Sequence, residues 1–281
     1  MKRHKLFCEI SPLTYSISVA RCCIIRWLTD MMSHKKFAKE KRGTHLPVLI
    51  YSHNSLMRRK LGNSEPELQE NKVVNLTLSA PRVSGIVIKP GEEFSFWKLV
   101  GPCSRRRGYM EGLVISSGKT DKGTGGGMCQ FTNLIHWLVL HTPLEITEHH
   151  HHDGVDLFPD YGRQVPFGTG TSVFFNYLDY RFKNNTQYEY QIIVYTTKKY
   201  LHGEIRSQRP QELKYHISSE DECFVREDDG IYRTGIVKRR SIDKKTGNTV
   251  SEEVIKENHA KVMYDTSGLQ VVTKEKSGSV Q

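Results

Sequence analysis

Three consecutive glycines run straight into an apolar helical pattern at Gly125-Gly126-Gly127-Met128-Cys129-Gln130. This junction constrains the fold of the 281-residue chain more than any other stretch. Phe131, Leu134, Ile135, Leu138 and Val139 recur at helical spacing, which predicts a buried helix over residues 128–141 that Pro143 stops. The glycines let the backbone turn tightly into that helix and be approached closely. A cysteine there sits at the positive end of the helix dipole. Thiolate is favoured over thiol at such a place, and free N–H groups face any developing oxyanion. A buried, unreactive cysteine at a tight turn is the other reading of the same residues.

Strands are expected around this helix. Residues 73–78, 83–88, 113–116, 144–148, 171–182 and 188–197 have strand composition and are bounded by turn signals such as Lys89-Pro90-Gly91-Glu92 and Lys183-Asn184-Asn185-Thr186. Further strand-like pieces lie at 213–217, 222–226, 231–239 and 249–256, with a hairpin turn at Lys245-Thr246-Gly247-Asn248 and a frayed tail over 266–281. The expectation is an α+β fold, mostly antiparallel strands around one buried helix. Its divisions are a basic, largely helical segment at 1–62, a polar linker at 63–72, a core domain at 73–204 and a charged β-rich region at 205–281.

Charge is unevenly placed. Residues 1–62 hold 13 Lys or Arg against three acids, which accounts for the whole net charge of +10; residues 63–281 are neutral overall. A basic arm attracts nucleic acid, acidic polymer or an anionic membrane surface, but no recognised module accompanies it, so specific nucleic-acid binding is not expected. Residues 15–28 form an amphipathic pattern, with Ile17, Ile24, Ile25 and Leu28 apolar and Arg21 and Arg26 polar. A solvated, partly disordered leader is the expected reading of this segment, with peripheral membrane contact through the amphipathic stretch as the alternative. Glu9 and Pro12 interrupt any export-type apolar run, and no stretch approaches ~18 uninterrupted apolar residues, which reads as a cytoplasmic chain. Cys8, Cys22, Cys23, Cys103, Cys129 and Cys223 show no regular spacing and no CxxC pair, as expected of reduced thiols. The glycine run lacks a following Lys-Ser or Lys-Thr, and no acidic ribose partner follows it, so no cofactor is expected.

A nucleophilic cysteine needs a general base and a group to orient it. Helix, turn and strand return the chain to His149, His150, His151, His152 and Asp153. In extended backbone either His149 and His151 or His150 and His152 share a face. Asp179, Glu148 and Asp153 are candidate orienters. A His-x-His pair with Cys129 or Cys103 is the competing metal reading, weaker than the base reading because the flanking spacing of known metal motifs is missing. A solvent-exposed, incidental histidine turn is the third reading.

An ordered series of motifs narrows this choice. It comprises Lys89-Pro90-Gly91-Glu92-Glu93-Phe94-Ser95-Phe96, Val100-Gly101-Pro102, Arg107-Gly108-Tyr109, Gly125-Gly126-Gly127-Met128-Cys129-Gln130, Tyr177-Leu178-Asp179 and Phe182-Lys183-Asn184-Asn185-Thr186. Together these span about residues 73–200 and resemble the VanW family, first named from vancomycin-resistance gene clusters. Some exported members are L,D-transpeptidases that cross-link peptidoglycan through the motif cysteine. The resemblance therefore implies Cys129 as nucleophile, acting on peptidoglycan stem peptides or precursors. The family's His-x-His maps onto His150 and His152, with His152 as the implied base and Asp179 as its orienter. Gly125, Gly126, Gly127 and Gln130 would face the oxyanion or substrate, and Arg107 a stem carboxylate. Members that act this way are placed in the cell envelope. A non-catalytic accessory protein that binds cell-wall precursors or glycopeptide, and a zinc-stabilised module on Cys129 and His152, are the alternatives.

Overall fold

The computed structural model describes residues 6–58, 66–116, 119–151, 154–160 and 164–273. Helix α1 (Pro12–Met32) is followed by β1 (Val48–Leu56), α2 (Pro66–Val83), β2 (Ile86–Ile88), β3 (Glu93–Ser95) and the short α3 (Phe96–Val100). The hairpin β4 (Glu111–Ser116) and β5 (Lys119–Thr124) leads into α4 (Met128–Val139). Then come β6 (Glu145–Glu148), β7 (Val155–Asp156), β8 (Arg181–Lys183), β9 (Tyr190–Thr196) and β10 (Tyr200–Ser207). Long strands β11 (Leu213–Glu227), β12 (Gly230–Asp243) and β13 (Thr249–Val262) and the short β14 (Val271–Thr273) complete the chain.

The sequence period of α4 becomes its burial. Phe131, Leu134, Ile135, Leu138 and Val139 are all buried, so the helix is apolar around most of its circumference. Burying each such side chain contributes about 1.5–3 kcal/mol. One side packs on the antiparallel sheet β1-β10-β9-β2, meeting Ile192, Val194, Leu201 and Ile205 in one core. The three-stranded sheet β3-β8-β6 joins that core, with Phe94 and Phe182 stacked 4.6 Å apart. Trp137 and Leu140 carry the contact on to Ile217 and Val237 of the C-terminal sheet β14-β11-β12-β13-β7. Antiparallel pairing dominates; among the named strands only β14–β11 and β13–β7 run parallel. The fold is α+β, as the sequence predicts.

Helix α2 departs from expectation. Residues 63–72 read as a linker and 73–78 as a strand, yet one helix spans Pro66–Val83. Its buried residues Leu68, Gln69, Lys72, Asn75, Leu76, Ser79, Ala80 and Val83 recur every three or four positions, so the 3.6 period overrides the β-branched pair Val73-Val74. The core therefore draws on buried faces of α2 and α3 as well as α4. Of the stretch 171–182, read as a strand, only Arg181 and Phe182 enter one. The two pieces expected at 213–217 and 222–226 are the single strand β11, whose register shifts between Glu220 and Cys223 where Asp221 takes a φ of 53°.

The N-terminal segment is helical only as far as Met32. Beyond it the chain runs back along the body: Ala38 N–H donates to Glu93 O, Val87 N–H to Glu40 O and Arg42 N–H to Gly85 O, each at 2.9 Å. The buried side chain of Gln191 accepts from Leu46 N–H at 2.8 Å and donates to Arg42 O and Thr44 O. This path delivers β1 to the edge of the first sheet, antiparallel to β10.

Candidate active site

Gly127 begins α4 with φ of 107°, a left-handed geometry that side chains resist. At Gly126 the constraint is space. A Cβ there would lie 2.6 Å from Gly112 C and 2.7 Å from Leu113 O, so β4 lies directly against the loop. Asn75, fully buried in α2, donates to Gly126 O at 2.9 Å and to Met110 O at 3.1 Å and accepts from Met110 N–H at 2.8 Å. The loop is thus pinned to a helix and a hairpin at once. The first-turn amides of α4 have no partner within the helix by construction.

Cys129 stands in the first turn of α4, partly exposed. Opposite it, Thr171 N–H donates to Asn133 Oδ1 at 2.6 Å and Thr171 Oγ1 to the same oxygen at 2.8 Å; Thr171 Oγ1 also bonds to Thr132 Oγ1. The clamp fixes the segment that leads to Val173, whose backbone N–H is among the groups that favour a thiolate at Cys129. Burial pushes the Cys129 thiol up from its ordinary pKa, and nearby backbone N–H groups offset only part of the shift. The resting state is therefore thiol, where the helix dipole alone would favour thiolate.

Cys129 lines a cavity of about 1010 Å³. The glycine loop, Lys72, Gln130 and Asn133 contribute to its lining, as do segment 154–159, residues 165–175, residues 256–260 of β13 and Tyr15 of α1. His151 lines the same cavity. Behind it the rings of His149 and His136 follow, with centroid separations of 4.0 and 4.2 Å. His149 Nε2 donates to Gly170 O at 3.0 Å, and His136 Nδ1 bonds Tyr180 OH at 3.0 Å. Burial, with His151 beside it, pushes His149 down to about 4; burial with His149 and His151 nearby holds His136 well below the usual histidine range.

His149 and His151 therefore share the inward face of this run. His150 turns to Glu148, Nε2 to Oε1 at 2.9 Å. Burial alone pushes the Glu148 carboxyl up, but Arg26 and His150 hold it below its ordinary value. His152 and Asp153 lie outside the described residues. Among the described residues Asp179 meets no histidine: its carboxylate accepts from Ser95 Oγ, Trp97 N–H, Tyr180 N–H and Arg181 Nε at 2.5–3.1 Å. It closes a buried ion network in which Arg181 also holds Asp30.

Two other predicted residues have internal partners. Gln130 lines the cavity, but its Nε2 donates to Ser55 Oγ and Leu56 O, both at 2.8 Å, which commits the two amide hydrogens it could offer an oxyanion. Arg107 donates to the carbonyls of Pro102 and, at 2.8 Å, Val100, bracing its own loop away from the cavity. Gly125, Gly126 and Gly127 all line the cavity. Among the described residues no group of three or more His, Cys, Asp or Glu is placed to hold a metal ion.

Several lining residues carried no signal in the sequence. Lys72 lies in a helix read as linker. Val173 and Thr171 lie in an expected strand, and Lys256, Asn258 and His259 in a region without motifs. Asn258 Nδ2 donates to Phe167 O at 2.9 Å and so ties β13 to the cavity wall. Arg233, nearly fully buried, binds Asp156, Asp160 and Glu222 and holds the 154–160 segment to β12. Among the described residues no helix is long and apolar enough to cross a membrane.

A family profile described as "VanW like protein" matches residues 71–206. The chain is 33% identical over 219 residues to the vancomycin B-type resistance protein VanW of Enterococcus faecalis (strain ATCC 700802 / V583), covering 78% of this chain and 79% of that protein. It is 32% identical over 123 residues to the uncharacterized protein YoaR of Bacillus subtilis (strain 168), covering 43% of this chain and 37% of that protein. No solved structure matches. With the motif cysteine at the head of its buried helix and a relative this similar over most of both lengths, the chain belongs to the VanW-like family.

Proposed function

We propose that the chain acts on the bacterial cell wall as a cysteine acyltransferase of L,D-transpeptidase type, with peptidoglycan stem peptides as substrates. One observation carries this reading: the family-motif cysteine, in the first turn of α4, opens onto a cavity large enough for a peptide. The name of the enterococcal relative, a protein of vancomycin resistance, agrees with a cell-wall role.

In the reaction Cys129 loses its proton to a histidine, and Sγ bonds the carbonyl carbon of the stem's penultimate residue. First-turn amides of α4 hold the oxyanion. The C–N bond to the terminal D-Ala breaks, and the histidine returns the proton to that amine. An acceptor amine then attacks the thioester, and sulfur leaves with a proton. His151, which lines the cavity with Cys129, is the first base to test. His152 is the second, and His150 ranks behind because it is engaged with Glu148. Lys72, on the cavity wall beside Gly127, is better placed than Arg107 to meet a stem carboxylate.

Intact-mass measurement after incubation with tetrapeptide muropeptides tests this directly. The expected result is an adduct equal to the stem less D-Ala on wild type and none on Cys129→Ala. Wild type and variant alike without adduct would refute acyl-enzyme formation. The second reading, a non-catalytic binder of cell-wall precursors or glycopeptide, draws on the raised thiol pKa. It predicts saturable stem-peptide binding that Cys129→Ala leaves intact and no adduct.

A further inference from the structure

Helix α1 has the usual arrangement of an amphipathic helix turned inside out. Val19, Cys23, Arg26 and Asp30, spaced by four, three and four, form its half-buried face. Polar contacts dock that face. Arg26 donates to both Glu148 oxygens and to Tyr177 O, Arg181 grips Asp30 at 2.6 and 2.8 Å, and Cys23 Sγ donates to Phe175 O at 3.5 Å. The opposite stripe, Leu13, Ile17, Ile24, Leu28 and Met31, faces outward. Leu13 is 70% exposed, Ile24 57% and Met31 60%, and no residue of the helix is buried. Contiguous exposed apolar surface of this kind marks an interaction site.

We infer that α1 lies on the surface of a bilayer rich in anionic phospholipid, its outward stripe sunk to the headgroup boundary. Charge selects this occupant. Arg21 on the helix and Lys36 and Lys39 just beyond it are exposed, and residues 1–62 carry the whole net charge of +10. Cations around an apolar stripe are the signature of an interfacial helix. Trp27, 57% exposed beside the stripe, is the residue type that settles at headgroup level. A second copy seated on the same face would bring two strongly basic segments together, at a repulsive cost. Tyr15 of the same helix is also one of the residues that line the cavity. This inference is independent of the cysteine chemistry.

The test is co-sedimentation of the full chain with extruded phosphatidylcholine vesicles containing about one-third phosphatidylglycerol. Wild type is expected in the pellet, with a blue shift of tryptophan emission that Trp27→Phe removes. The triple variant Leu13→Ser, Ile24→Ser, Leu28→Ser should lose at least about tenfold in partitioning while keeping its circular dichroism spectrum, because exposed positions leave the core untouched. Lys36→Gln with Lys39→Gln should weaken binding, and pure phosphatidylcholine should bind less. Wild type remaining in the supernatant, a triple variant that partitions like wild type, or equal binding to neutral vesicles would each overturn the inference. So would a wild-type dimer that the triple variant converts to monomer, since the face would then be a self-interface.

Discussion

The ring of His149 lies against that of His151, centroids 4.0 Å apart, so a charge on one raises the cost of a charge on the other. His149 is held at about 4, against an unfolded value near 6.5. A depressed histidine binds fewer protons folded than unfolded, so its contribution is complete above about pH 6.5 and is lost as the pH falls toward about 4. Partial solvent screening leaves of order 1–2 kcal/mol from this residue. His149→Phe should therefore show a flatter fall in urea midpoint across that window than wild type. Parallel curves would mean the His149–His151 pair does not set this dependence.

Gly126→Ala places a methyl group against backbone of β4 that has nowhere to go. A loss of about 2–3 kcal/mol is expected, whereas Gly43→Ala, with open space around it, should be near neutral. Equal chemical-denaturation midpoints for the two variants would contradict the packing described at the glycine loop.

Asn133→Ala removes the acceptor for Thr171 N–H. That donor is buried, and leaving it unsatisfied costs about 1–3 kcal/mol. The wall carrying Val173 should loosen with it, so alkylation of Cys129 by iodoacetamide should speed up. Unchanged alkylation with lowered stability would separate the clamp from the thiol.

Arg181→Met leaves Asp179 without its cation and Asp30 with Lys98 alone, at a site nearly closed to water. The expected loss is about 3–5 kcal/mol at neutral pH. The deficit should shrink on acidification, because protonating the stranded acids relieves the penalty. A deficit independent of pH would show that packing of the arginine stem, and not its charge, is what matters.

Helix α4 was readable because its burial is apolar: five hydrophobic side chains at 3.6 spacing behind three glycines leave few alternatives. Helix α2 was not, because half of its buried face is polar. Gln69, Lys72, Asn75 and Ser79 point inward toward specific partners, and no hydrophobic pattern records them. The same limit applies at the site. The place of Cys129 follows from local geometry. The pairing of Arg107 with carbonyls of its own loop and the engagement of Asp179 by Arg181 are tertiary choices that leave no mark on spacing. Which histidines face inward was narrowed to two alternatives by strand alternation, and the packing of His149 on the buried His136 selects between them.

The wall that β13 supplies has a consequence for synthesis. Its lining residues 256–260 leave the ribosome well over a hundred residues after Cys129, and β7 can pair only once they arrive. During translation the motif thiol therefore emerges on an unfinished scaffold and acquires this wall only after β13 has followed it.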